Sequence, residues 1–384
     1  LANAIKLRIA TRLLSADLSS AQAIIASVIA DGRLMESNDD QFTWDIGGDY
    51  RGGGGAGFEW KGLMWSAEPL VEFMKTTVDP RIRIFYEMNG YTQESIDAFT
   101  DPSTISPAVD LANDNDVLFT TADGEDILGY RYIGAPTHRQ DPRVSVPGYF
   151  NYIDDANTLG PNTPMVSKWH RRLIQTSTST YGGLLPISVN DSANYVDVLL
   201  SYSEVCFMMS EFILKGYTAG DAENWYTKGV ESSLTTYDMI GDKQNLDMAV
   251  AGKWYPYLPV SSAEVTNYLA TPEVAFNGTD DLEKVYVQSF LNFFRLPSEG
   301  WLLSMRTGYP KYNSSVFSRF PTDNNEILFP RRIPTPEPGD LNRENWDASL
   351  QSQGFTALDE NPETLNSQRL WWDKNNPTIG SGGN

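Results

Sequence analysis

The chain has 384 residues, with 29 Lys and Arg against 50 Asp and Glu, a formal charge of −21, one Cys and two His. The charge argues against nucleic-acid and anionic-lipid partners, which need clustered Lys and Arg. The lone Cys excludes an internal disulfide framework and multi-cysteine metal sites, and two His argue against a histidine-rich metal centre. Hydrophobic residues make up 41% of the chain, ample for a core, and aromatic residues reach 12%, high for so acidic a sequence.

The chain opens directly in helical periodicity. Leu1, Ile5, Ile9 and Leu13 recur at i, i+4 along one helix face, with no capping residue before them. A natural N-terminus usually brings a methionine, a targeting segment or a disordered lead-in, so the chain reads as the remainder of a longer protein. Ser19 and Gln22 offer a capping box for a second helix. Ile24, Ile25, Val28 and Ile29 form its apolar face, and Gly32 stops it. Residues 1–38 thus form a helical hairpin.

The text changes over 39–196, a loop-rich insert. A Gly47-Gly48 pair and the run Gly52 to Gly55 sit among Phe42, Trp44, Tyr50, Phe58, Trp60 and Trp65. A P-loop needs Lys-Ser or Lys-Thr after its glycines, and Ala56-Gly57-Phe58-Glu59 follows instead, so this is a surface loop. The stretch from Asn89 to Asn194 is rich in Asp, Asn, Pro, Gly and Thr and lacks a long helical period. Asn113 to Asp116 and Asp123 to Asp126 could supply oxygen ligands to a structural Ca²⁺, but they lack EF-hand spacing and read as solvated acidic loops. His138 and His170 stand outside any HExxH motif, and there is no Gly-x-Ser-x-Gly elbow.

Helical periodicity returns at 197–241. Leu199, Tyr202, Val205, Cys206, Met209, Phe212 and Ile213 line one helix until Gly216, which makes Cys206 a small buried residue. Gly220-Asp221 opens a partner helix with Trp225, Tyr226, Gly229, Val230, Leu234 and Tyr237 inward. A third hairpin spans 281–308, with Pro297 at the start of its second helix and Trp301 and Met305 within it. The segment 320–384 carries Pro321, Pro330, Pro334, Pro336, Pro338, Pro362 and Pro377 and ends in a polar, Gly-rich tail. Three hairpins make a degenerate helical-repeat scaffold, too irregular to match the tetratricopeptide period of about 34 residues by spacing alone.

Four segments in this order resemble one family. They are Leu1 to Arg12; Leu199 to Glu211 with Gly216 and Ala222 to Gly229; Gln288 to Phe294 with Glu299 to Trp301 and Arg306 to Pro310; and Phe329 to Arg332 with Asn342, Asn345-Trp346 and Arg369 to Lys374. Together they are similar to the SusD/RagB-like outer-membrane lipoproteins of Bacteroidetes over nearly the whole chain. Met305 and Ser289 depart from the family pattern, both on scaffold helices.

The resemblance implies a mainly α fold, a single SusD-like domain over 1–384, of tetratricopeptide-like hairpins with a loop-rich ligand face. It also implies a lipid anchor on the outer face of the outer membrane, preceding this chain, and a SusC-like TonB-dependent transporter as partner. Arg331, Arg332 and the Trp371-Trp372 pair are expected to fasten the terminal segment to the helices. The expected function is non-catalytic binding of an extracellular oligosaccharide for import, with no cofactor. Alternatives are a peptide or other nutrient in the same import system, or a glycoside hydrolase with two loop carboxylates. Flat aromatic faces suit stacking beneath sugar rings, so the expected contacts are Trp44, Tyr50, Trp60 and Trp65, with Asp45, Asp49 and Arg51 for hydroxyls. Tyr130, Tyr132 and Tyr149 form a second set.

Overall fold

The structure, a computed structural model, describes residues 1–47, 65–90, 114–137, 141, 151–152, 163–164, 166–174, 194–250, 253–317, 331–333, 336–356 and 361–383. Its helices are α1 (Ala2–Leu13), α2 (Leu18–Asp31), α3 (Glu68–Thr76), α4 (Ile82–Phe85), α5 (Arg171–Ile174), α6 (Tyr202–Leu214), α7 (Ala222–Lys243), α8 (Ser262–Leu269), α9 (Asp281–Asn292), α10 (Pro297–Thr307), α11 (Arg343–Gln353) and α12 (Pro362–Ser367). Among the described residues the strands form only two-stranded antiparallel ribbons. The fold is mainly α.

Helix starts follow short polar side chains. Asp17, not Ser19, caps α2: its carboxylate accepts from the Ser20 amide at 3.0 Å and from both serine hydroxyls. The helix therefore begins one residue before the expected box. Ser201 caps α6 through the Glu204 amide and Asp221 caps α7 through the Asn224 amide. The stops are glycines in left-handed conformation, Gly32 after α2 and Gly308 after α10.

On α1 the large aliphatic residues Leu1, Ile5 and Ile9 are exposed, while Ala4, Leu7, Ala10 and Thr11 are buried. The small residues let α1 lie close against α2 and α6, and Leu7 fills the space between them. Helix α6 is central. It contacts α1, α7 and α9, so every residue from Tyr202 to Phe212 is buried, not one face alone. Close approach of α7 needs Gly229, where an added Cβ would stand 2.6 Å from the Phe207 ring.

Two charged clusters tie these helices together. Arg8 of α1 donates from Nε and Nη2 to the Glu204 carboxylate, each at 2.6 Å, and Arg12 pairs with Glu299. The arginines of the opening motif are therefore scaffold. Deeper in, Arg81 just before α4 holds Asp79 at 2.6 Å, with both side chains fully buried. It also donates to Ser233 of α7, Tyr268 of α8 and Gln288 of α9.

The C-terminal segment is fastened as expected by Arg331. Its side chain is completely buried against Asp373 and donates to the Met305 carbonyl at 2.8 Å and the Pro377 carbonyl at 2.9 Å. Trp371 takes no such part, because it is 70% exposed. Within the loop-rich insert the structure places α3 and α4. Their turns were too short to show a period, and they are held by burial of Val71, Phe73, Met74, Ile82, Ile84 and Phe85.

Candidate functional site

Strand β1 (Phe42–Gly47) pairs antiparallel with β8 (Tyr195–Leu200). The ribbon is irregular at both ends of β1, and Trp44 and Phe42 stand out of the protein, Trp44 at 59% exposure. A tryptophan usually buries most of its surface, so an open indole here is a free apolar platform with one N–H donor.

Trp44 lies directly opposite Asp197, and opposed residues project from the same face of a ribbon. Asp197 receives Arg295 Nη2 at 3.3 Å, and Arg295 Nη1 donates to the Val196 carbonyl at 2.7 Å. The guanidinium also lies 4.8 Å from the centroid of the Tyr195 ring. Asp197 is thereby held in place opposite Trp44 by an almost buried Arg295. They were missed in the sequence because they lie far from Trp44 along the chain and only the strand register joins them.

Asp45 follows Trp44, so strand alternation turns it to the opposite face, across from Val196. Its carboxylate accepts from Asn194 Nδ2 at 2.8 Å and meets Lys243 Nζ at 3.5 Å. Trp65 belongs to a different piece of sheet. It is bridged to Lys168, whose Nζ sits 4.7 Å above the indole, and is only partly exposed. One face of that ring is already occupied.

The second tyrosine set is corrected by burial. Tyr132 is fully buried, and Tyr130 is 8% exposed in the short turn Gly129–Arg131. Neither ring is open to a ligand, and burial pushes the Tyr132 phenol above its ordinary value. Asp49, Tyr50, Arg51, Trp60 and Tyr149 lie outside the described residues.

Other exposed indoles among the described residues are Trp371 at 70%, Trp254 at 48%, on β10 (Lys253–Tyr255), and Trp301 at 39%. On α10 the residues Gly300, Leu303, Ser304, Met305 and Thr307 are buried, and Trp301, one turn before Met305, is not. His170 is buried with Nε2 3.2 Å from the Leu246 carbonyl, and Cys206 is a buried thiol. In the acidic loops, Asp114 pairs with Lys75 at 2.5 Å, and Lys253 pairs with Asp123 and Glu125. Among the described residues, no three His, Cys, Asp or Glu side chains gather as metal ligands.

A family model for SusD-like proteins, described as starch-binding and associating with the outer membrane, matches residues 130–336, more than half of the chain. The chain belongs to the SusD-like family. A solved chitin-binding protein superposes with TM-score 0.56 at 19% identity, over 97% of this chain and 63% of its own. A chitin-binding SusD homologue from Flavobacterium johnsoniae gives 0.54 at 17% identity, over 98% of this chain and 63% of its own. A SusD homologue from Bacteroides fragilis NCTC 9343 gives 0.51 at 19% identity, over 91% and 63%.

At such identities the likeness shows the fold, and the chain spans 63% of the length of each of these three structures. No curated protein matches the sequence. Met305 and Ser289, where the sequence departs from the family pattern, are both buried packing positions. Among the described residues no helix is long and apolar enough to cross a membrane.

Proposed function

We propose that this SusD-like chain is a non-catalytic glycan-binding protein. On this reading it captures extracellular oligosaccharide at the outer face of the outer membrane and passes it to a SusC-like TonB-dependent transporter. A lipid anchor preceding the chain would hold it there. The observation that carries the reading is the open Trp44 indole, set opposite an Asp197 that Arg295 fixes in the β1–β8 ribbon. An apolar platform for the ring plus a fixed carboxylate acceptor for hydroxyls is the equipment of sugar recognition, and it needs neither nucleophile nor metal. Two structural relatives named as chitin-binding support the ligand class. Asp45 lies on the other face of the ribbon and one face of Trp65 is covered, which leaves them as edge contacts. Asp49, Tyr50, Arg51, Trp60 and Tyr149 complete the proposed set.

The test is calorimetric titration of wild type and Trp44→Ala with chitin, starch and other polysaccharide fragments. Loss of a stacking platform is expected to cost ~1–3 kcal/mol, roughly 5–150-fold in Kd, with unchanged circular dichroism. Equal affinity in the variant would remove Trp44 from the site.

A further inference from the structure

A cavity lies on a part of the scaffold to which neither β1 nor β8 contributes. Its volume is about 300 Å³, at the lower end of small-molecule sites. It is walled by Ser15 in the α1–α2 turn, Lys215 and Tyr217 after α6, Arg306 and Thr307 at the end of α10, and Asn375 of the C-terminal segment. These pieces are fixed to one another. Asn375 Nδ2 donates to the Ser15 carbonyl at 2.8 Å, and the buried Arg331–Asp373 pair holds the terminal segment on α10.

The chemistry of the wall is mixed in a particular way. Three helices, α1, α6 and α10, end here, at Leu14, Lys215 and Gly308. Helix C-termini present carbonyls and partial negative charge, which accept hydrogen bonds and disfavour an anion. Against them stand donors without acceptors. Arg306 gives both Nη atoms to Glu211, at 2.5 and 2.9 Å, while its buried Nε makes no hydrogen bond. Among the described residues neither Lys215 Nζ nor the Tyr217 hydroxyl has a hydrogen-bond partner. Burial raises the Tyr217 phenol, so it stays protonated.

No carboxylate among the described residues lines the cavity, although the chain carries 50 of them. A cation therefore finds no counter-ion there. An anion meets three helix C-termini and an Arg306 already neutralised by Glu211, with Lys215 at the end of α6 the one uncompensated cation among the described lining residues. A neutral molecule whose groups both donate and accept satisfies the carbonyls and the unpaired donors together, and vicinal hydroxyls on a ring do this. Tyr217 adds an apolar edge. The volume suits one such ring and no chain of them.

We propose that this cavity binds a single neutral sugar residue, as a monosaccharide or the end of a short oligosaccharide, separately from the Trp44 ribbon. Full-length protein is titrated with glucose, galactose and N-acetylglucosamine by ligand-observed NMR, in wild type, Trp44→Ala, Ser15→Trp and Lys215→Met. At least one sugar is expected to bind wild type and Trp44→Ala equally. Filling the cavity with Ser15→Trp is expected to weaken it by about tenfold or more, and removing the Lys215 donor with Lys215→Met by about threefold or more. If Ser15→Trp fails to fold, Tyr217→Phe and Lys215→Met decide. Absence of binding by all three sugars, loss in Trp44→Ala, or wild-type affinity in the cavity variants would each overturn the proposal. The Trp44 reading is judged separately, by oligosaccharide binding.

Discussion

Replacing Arg81 by Met tests how this scaffold tolerates charge in its interior. The guanidinium donates from Nε to both Asp79 oxygens at 3.0 and 3.2 Å and from Nη2 to Asp79 Oδ2 at 2.6 Å. It also donates to the Ser233 hydroxyl at 3.1 Å, the Tyr268 hydroxyl at 2.9 Å and Gln288 Oε1 at 2.9 Å. Burial opposes the charge, but the Asp79 carboxylate outweighs it and raises the Arg81 pKa well above its ordinary value. Methionine preserves much of the side-chain volume and removes every one of these bonds. Asp79 is then a carboxylate at zero exposure that keeps the Arg81 backbone amide as a donor.

Removing one partner of a buried pair costs about 3–5 kcal/mol, because the other charge stays behind uncompensated. Asp79→Asn with Arg81→Met removes both charges, so the double variant should lose less than the two singles added, with a coupling of at least ~2 kcal/mol. Guanidinium chloride unfolding, followed by circular dichroism and tryptophan fluorescence, measures both quantities. A loss below about 1 kcal/mol for Arg81→Met, or strict additivity, would show that water or a rearranged core replaces the guanidinium, against the burial described above.

Cys206 is completely buried and its thiol is pushed up to about 12 by burial, so a disulfide reagent at pH 8 should react only after denaturant is added; prompt reaction with native protein would contradict that burial. Asp17 is held at about 2, below its ordinary 3.8, by hydrogen bonds from Ser20 and Ser19. Its cap is therefore complete above about pH 4 and is lost as pH falls through about 2, where amide exchange in α2 should accelerate. Asp17→Ala should exchange faster at neutral pH and lose this pH step, and an unchanged step would assign it to another group. At Gly134 a Cβ would meet the Glu68 backbone 2.1 Å away. Gly134→Ala should therefore destabilise by roughly 1–3 kcal/mol in chemical unfolding, and a neutral result would mean that the two segments part easily.

The β1–β8 ribbon shows how the proposed site divides between what is readable and what is not. Trp44 stood out in the sequence because an indole among glycines and aspartates has no periodic core to join. Its companions Asp197 and Arg295 did not, since they come from β8 and the turn after α9, and a strand register chooses them. Tyr130 and Tyr132 sit in text of the same character, yet they are buried, because the turn holding them folds inward and not across the surface.

By itself the sequence determined the helical hairpins, the Gly32 stop of α2 and the Asp221 start of α7, because those are local matters of periodicity and backbone geometry. Its ordered motifs also determined the family. Tertiary structure alone decided which side of each helix is buried. Ala4 and Ala10 face in on α1 while Ile5 and Ile9 face out, since close helix contact selects small side chains over greasy ones. It alone placed Arg81 and Asp79 in the core and gathered three helix ends around one cavity. Burial and convergence are properties of distant segments meeting, and no window along the chain contains them.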